Sequence, residues 1–260
     1  MPSLRIIGPG RAGGALSLAL GRRGWSVDVR GRADDLSGAA HGVDLLVLAV
    51  PDGAIADVAA SVRPDPDEAG VVAHLAGSLG LGVLTQAGHH RVATIHPLVS
   101  LPNPERGADR LVAGAWFAVA GDPIASVVVE ELGGHSFTVA DEDRAAYHAA
   151  ACIASNHTVA LLGQVERLAA AIGVPMEGYL DLARATVENV AELGAAAALT
   201  GPAARGDWAT IDRHRDALTA LDARELPAYD AMVQAARRLV VDADDAGSAA
   251  VVSPAEDPPA

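Results

Sequence analysis

Three kinds of residue in this 260-residue chain have the types and spacing to do chemistry: glycines that can cradle a phosphate, polar side chains at the ends of strands and helices, and arginines that can grip an anion. The glycines come first. Apolar Leu4-Arg5-Ile6-Ile7 runs into Gly8-Pro9-Gly10-Arg11-Ala12-Gly13, and small residues from Gly14 to Leu20 follow. In a strand–turn–helix with this G-x-G-x-x-G spacing, the first glycine makes the tight turn and the second lets the backbone approach a pyrophosphate. The third lets the helix pack on the strand. The free amides at the helix start then form an anion site, to which Pro9 can donate nothing and Arg11 adds a charged donor. Gly8, Gly10, Arg11, Ala12 and Gly13 are therefore the expected dinucleotide-binding loop, with a tight αβ turn of some other α/β protein as the alternative.

The second strand bears on which dinucleotide. An acid that holds a ribose 2′-OH should lie ~20 residues after the first glycine, at the tip of that strand. Asp28 has the count but, between Val27 and Val29, falls on the opposite face of a period-two strand. The strand instead ends in Arg30-Gly31-Arg32. Two guanidiniums suit a 2′-phosphate better than a bare diol, so NADP(H) is favoured, unless Arg30 and Arg32 are solvated loop charges.

In doubly wound sheets ligands bind beyond the carboxyl ends of the strands. That rule selects Val50, Pro51 and Asp52, then His74 to Ser78, then His96, Pro97 and Ser100. His96 is the first choice of proton donor, against a turn histidine fixed by Pro97. On the long helical segment that follows, Asn156 shares a face with Ala149, Cys152, Ile153 and Ala160 at a 3.6-residue period. Its carboxamide would meet a backbone carbonyl, a substrate oxygen or a nicotinamide carboxamide. His148 and His157 fall on other faces, as solvated side chains, and Cys152 reads as a small buried hydrophobe with no basic neighbour. In Thr200-Gly201-Pro202-Ala203-Ala204-Arg205-Gly206-Asp207, Gly201 ends a helix, Pro202 prevents its continuation and Asp207 caps the next. Arg205 is left over, to bind a substrate carboxylate or to pair with an acid across a dimer contact.

The elements that must position these residues are legible. Strands are expected near residues 4–7, 25–29, 43–50, 70–75, 91–97, 116–120 and 136–139, alternating with helices, which gives an α/β, doubly wound, mostly parallel sheet. Helices follow over residues 144–172, 176–199, 208–221 and 226–241. The expected domains are 1–140 for the cofactor and 141–242 for substrate binding or dimerisation, with 243–260 as a disordered acidic tail.

Composition narrows the function classes. A net charge of −14 and a pI near 4.9 argue against a nucleic-acid surface. All 19 basic residues are arginine, so no lysine can donate a proton or form a Schiff base. One cysteine makes neither an intramolecular disulfide nor a multi-cysteine metal site. No signal peptide or membrane span is evident, and a cytoplasmic protein is expected. Half the residues are hydrophobic but few are aromatic, so helices should pack by close backbone approach.

The glycine loop, Asp44 to Asp52, His74 with Gly77-Ser78, His96-Pro97-Leu98, Ala154-Ser155-Asn156 and the Leu199–Asp207 run resemble Rossmann-like proteins with a helical C-terminal domain of formerly unknown function. These lie within the 6-phosphogluconate dehydrogenase-like superfamily, beside ketopantoate reductases, pyrroline-5-carboxylate reductases and coenzyme F420-dependent NADP reductases. The resemblance covers residues from about 4 to 240 and implies an NADP-binding domain, a helical domain that often dimerises and a substrate cleft. Some members of the group resemble an alternative type of ketopantoate reductase; the better-known ketopantoate reductases use a helix lysine as proton donor, and this chain departs from them in having none. The expected activity is NADPH-dependent reduction of a small 2-oxo acid, ketopantoate first, with His96 as donor, Asn156 orienting the carbonyl and Arg205 anchoring the carboxylate. Reduction of a cyclic imine of the pyrroline-5-carboxylate type, hydride exchange with a deazaflavin, and NADP(H) binding without turnover are the alternatives.

Overall fold

The computed structural model describes residues 1–64 and 70–251, with residues 243–251 described by their backbone alone. Among the described residues, seven strands form one sheet: β1 (Ser3–Ile7), β2 (Ser26–Arg30), β3 (Leu45–Leu48), β4 (Val71–His74), β5 (Val92–Pro97), β6 (Trp116–Gly121) and β7 (His135–Thr138). Their order is β2-β1-β3-β4-β5-β6-β7, and every pairing is parallel except β5 with β6. The winding direction therefore switches between β1 and β3, where a doubly wound sheet opens a crevice at its carboxyl edge.

Helices cover both faces, which is why β3 and β4 are buried at every position. Leu4, Ile6, Leu45, Val47 and Phe117 face one core with α1 (Arg11–Arg22), α4 (Pro104–Leu111) and α5 (Ile124–Leu132). Ile7, Leu46, Leu48 and Val72 face the other, with α2 (Ile55–Ser61) and α3 (Gly82–Thr85). Alternation along each strand divides the apolar residues between the two. The scarcity of aromatics is met by backbone approach: a Cβ on Gly107 would lie 2.7 Å from that of Ala15, so α4 lies against α1 at a distance only glycine permits.

The chain divides into two compact units, Met1–Asn156 and His157–Ala260. The boundary falls later than residue 140 because α6 (Arg144–Cys152) belongs with the sheet: Arg144 is fully buried and donates to Thr94 Oγ1 of β5 at 2.6 Å. The segment expected as one helix from 144 to 172 is α6, a π-helical turn over Ile153–His157, and α7 (Thr158–Ile172).

The second unit is helical throughout its described residues: α7, α8 (Met176–Leu193), α9 (Ala195–Ala198), α10 (Pro202–Arg205), α11 (Trp208–Asp222) and α12 (Leu226–Val251). Gly194 breaks the helix expected over 176–199. Asp207 caps α11 as expected, accepting from the Thr210 amide at 3.1 Å, whereas Pro202 opens a short helix, its missing N–H costing nothing at a first turn. Ala203, Ile211 and Val233 form a small core, and Glu225, nearly buried, takes two hydrogen bonds from Arg167, at 2.6 and 3.0 Å. Helix α12 runs past residue 242 into the alanine-rich acidic stretch, since propagation along good helix formers is cheap once a helix is nucleated. The remainder of the expected tail, 252–260, lies outside the described residues.

Candidate active site

The glycine loop sits at the β1–β3 switch. Gly8 has φ +108°, and a Cβ there would lie 2.5 Å from the Ala49 carbonyl oxygen, so the turn accepts no side chain. At Gly13 a Cβ would meet Gly8 O at 2.1 Å and the Ala49 and Ile6 side chains beneath, which is the helix-on-strand contact expected of it. Gly10 is different. A Cβ there would meet nothing within 4 Å, so the backbone at the N-cap of α1 faces open space. The first intrahelical bond runs from the Gly14 amide to Gly10 O at 2.8 Å, and no side chain among the described residues caps the helix. The amides of Arg11, Ala12 and Gly13 thus lack intrahelical acceptors, and Arg11 is exposed beside them. This cradle fits a pyrophosphate. Val50 and Pro51, after β3, stand on the same edge of the sheet.

The tip of β2 is tied to the loop by the Gly8 amide bonding to Arg30 O at 2.9 Å. Asp28 Oδ2 accepts from Arg5 Nε at 2.7 Å and from Arg30 Nε at 3.0 Å, and the Arg5 bond first, with Arg30, holds its carboxyl below the usual range. Asp28 is therefore engaged within the sheet. Arg32 is exposed and in no ion pair among the described residues.

A cleft of about 480 Å³ opens beyond β5, between residues 96–100 and the helical run 147–156. His96, Tyr147, His148, Cys152, Ser155 and Asn156 supply polar and reactive atoms, with Ser100 also lining it. His96 Nδ1 lies 2.6 Å from the Tyr147 hydroxyl oxygen, and the His148 ring stands edge-on to His96 at 5.7 Å between centroids. Burial, reinforced by His148 and Arg144, pushes His96 down to about 4, so its imidazole is neutral at pH 7. Burial raises Tyr147, against an opposing pull from Arg144, so the phenol keeps its proton there.

The loop after β4 supports this pair. His74 is fully buried; its Nδ1 accepts from the Ala76 amide at 3.2 Å, which puts the ring proton on Nε2, facing Gly80 O at 3.1 Å. Burial lowers its pKa, and it acts as a loop brace. The braced loop presents Gly77, where a Cβ would lie 2.7 Å from His148 Cδ2 and 2.8 Å from His96 Nε2. Asp52 accepts from Ser78 Oγ at 2.7 Å, which joins the ends of β3 and β4.

Of the residues expected to act on substrate, His96 and Asn156 meet in the cleft, while Arg205 is exposed on α10 of the second unit. Asn156 is exposed, and the widened π turn beginning at Ile153 breaks the 3.6-residue face assigned to it. The cleft face runs instead through Tyr147, His148, Cys152, Ser155 and Asn156. That corrects two readings. His148 is part of the site, and Cys152 has a basic neighbour, His148 Nε2, 4.0 Å from its Sγ. Tyr147 and Arg144 went unassigned. The i,i+3 spacing of an arginine and a tyrosine at the head of the long helix was the only available signal, and it is commonplace on solvated helices.

The profile of a domain of unknown function, DUF2520, matches residues 117–236, somewhat less than half of the chain. No curated protein matches in sequence. Among solved structures, BF3122 of Bacteroides fragilis, provisionally named an NADP oxidoreductase, superposes with a TM-score of 0.76 at 20% identity, over 91% of this chain and 98% of that one. A reductive aminase from Aspergillus terreus, in complex with NADPH4, cyclohexanone and allyl amine, gives 0.69 at 16% identity, over 92% and 94%. Pyrroline carboxylate reductase of Plasmodium falciparum, with NADP bound, gives 0.60 at 13%, over 92% and 98%. At these identities the shared property is the fold, a Rossmann-type sheet followed by helices.

Proposed function

We propose that the chain is an NADPH-dependent reductase of a small carbonyl compound, a 2-oxo acid with ketopantoate first among candidates. The observation that carries this is the glycine cradle at the switch point of the sheet, on the same carboxyl edge as the cleft. From β1 to β5 is three inter-strand spacings, roughly 14 Å, a span that an extended nucleotide can bridge. The structural neighbours with NADP or NADPH in their complexes support the same cofactor. Gly8, Gly10, Ala12 and Gly13 would hold the pyrophosphate with Arg11. Val50 and Pro51 would line its path, and Arg30 and Arg32 would take the 2′-phosphate. When bound, the dihydronicotinamide supplies a hydride. The engagement of Asp28 by Arg5 and Arg30 supports NADPH over NADH, because the ribose diol loses its acidic acceptor.

At the substrate end, Asn156 of the cleft orients the carbonyl. A second reading, reduction of a cyclic imine, is favoured by one observation: no arginine is among the described residues lining the cleft, and an iminium brings its own charge and proton. Calorimetry with NADPH and NADH tests the cofactor assignment. Micromolar NADPH binding with NADH weaker is expected, and no heat with either coenzyme would remove the reading. Ketopantoate and pyrroline-5-carboxylate, offered in turn to the NADPH-loaded protein, separate the two substrate classes.

The helical unit supports a homodimer as the working form. Helix α8 buries none of its residues, yet it carries Leu182 at 64% and Val187 at 66% exposure, with Val190 and Leu193 also exposed. An apolar face of that kind is more usual at an interface than on a free surface.

A further inference from the structure

Reduction of a carbonyl needs a proton for the oxygen, and the chain has no lysine to provide one. His96, a neutral imidazole at pH 7, has a single N–H, and on Nδ1 that proton is engaged by the Tyr147 hydroxyl oxygen at 2.6 Å. We propose that Tyr147 is the group that protonates the carbonyl oxygen, with His96 positioning its hydroxyl and the buried Arg144 guanidinium stabilising the phenolate left behind. This rests on the reductase reading and adds the identity of the acid.

The geometry supports each part. Tyr147 and His96 both line the cleft, and only one of them can donate across the 2.6 Å between His96 Nδ1 and the phenol oxygen. If His96 carries its proton on Nδ1 and donates, the Tyr147 O–H remains for the substrate. Arg144, one helical turn earlier, has no exposed surface. Its NH2 bonds Thr94 Oγ1, whereas its Nε and NH1 have no hydrogen-bond partner among the described residues. Nε lies 3.4 Å from Asp141 Oδ1 without hydrogen-bond alignment, and that carboxylate is 54% exposed. A buried cation so thinly compensated favours any anion formed beside it. The groups around the pair are otherwise His148 on the same helix, His74 at the end of β4, Asp52 after β3, and Phe137 of β7, edge-on to Tyr147 at 5.8 Å.

In the step, the carbonyl double bond becomes single as its carbon receives hydride. The Tyr147 O–H bond breaks, and its proton bonds to the oxygen. The phenolate accepts the Nδ1–H of His96 and recovers a proton from water.

The test reads the imidazole and the phenol directly. Nitrogen NMR of the full chain, labelled at histidine, should show His96 neutral and Nδ1-protonated down to pH about 5, and Tyr147→Phe should shift that ring to the Nε2-protonated form. Ultraviolet titration, taken as wild type minus Tyr147→Phe, isolates the Tyr147 ionisation, which Arg144→Gln should move to higher pH. An Nε2-protonated His96 in the wild type, with Nδ1 accepting the phenol proton, overturns the proposal. So does ketopantoate turnover that survives Tyr147→Phe, where a loss of about a hundredfold or more in kcat with unchanged NADPH binding is expected. If the wild type fails to bind NADPH, the reductase reading falls, and the tautomer result still reports on the pair.

Discussion

His96 shows what burial does to a single side chain. Its folded-state pKa of about 4 lies below the ordinary imidazole value of 6.5, so the unfolded chain takes up the proton first as pH falls. The stability associated with a neutral His96 is complete above pH about 6.5 and is lost progressively toward pH about 4. Across that window the loss reaches about 3 kcal/mol. His74, also lowered by burial, acts in the same direction. Urea unfolding at pH 7 and at pH 4.5 should therefore give a smaller difference for His96→Gln than for the wild type; an unchanged difference would mean that His96 is not desolvated. The same pKa separates the candidate acids kinetically. A His96 donor would make kcat fall about tenfold per pH unit above pH 4, whereas a Tyr147 donor gives a plateau through neutral pH and an alkaline fall. At the cofactor end, Arg32→Ala should weaken NADPH about ten- to a hundredfold, as loss of a hydrogen bond to a charged group does, and leave NADH unchanged. Equal losses for both coenzymes would dismiss the 2′-phosphate role.

At the scale of elements, two loops carry the site and both depend on the absence of a Cβ. In the turn after β1, Gly8→Ala combines a left-handed φ with a 2.5 Å approach to Ala49 O. The turn must open, and NADPH binding measured by fluorescence should fall with it. In the loop after β4, Gly77→Ala drives a methyl group into the rings of His96 and His148. Overpacking of this kind costs about 1–3 kcal/mol, and the expected result is a lower Tm together with loss of the His96–Tyr147 hydrogen bond in the NMR spectrum. A variant with wild-type Tm and spectrum would show that the loop is free to move away. These glycine positions differ in legibility. Gly8 and Gly13 stand in a local motif whose strand, turn and helix all lie within a short stretch of chain. The partners of Gly77 come from β5 and α6, far away in sequence, so no local pattern indicated its contact.

For the whole molecule, the balance of buried and exposed apolar surface differs between the two units. The sheet unit holds two filled cores, whereas the helical unit buries little beyond Ala169, Ala203, Ile211, Leu218 and Val233 among its described apolar residues. In the homodimer proposed above, such a unit would gain stability by association, and its stability would depend on protomer concentration. Light scattering should give the mass of two chains, and Leu182→Glu with Val187→Glu should give one chain with a lower Tm. A wild-type monomer at micromolar concentration would refute the homodimer.

Periodicity and punctuation by themselves located the seven strands, the glycine turn and the cap at Asp207, because each of these is decided by neighbours in the chain, and the scarcity of large side chains pointed to close helix packing only in general. The strand-end rule likewise brought His96 forward before any contact was visible. The tertiary structure decided the rest. It made the strand-end candidate His74 a loop brace, brought His148 to the cleft and joined Tyr147 to His96 across 51 positions. It also drew the unit boundary at Asn156 and set a buried Arg144 behind the tyrosine. Burial, and with it the protonation state of an imidazole or a phenol, depends on which distant elements close over the group, and residue spacing along one strand or helix carries no record of that.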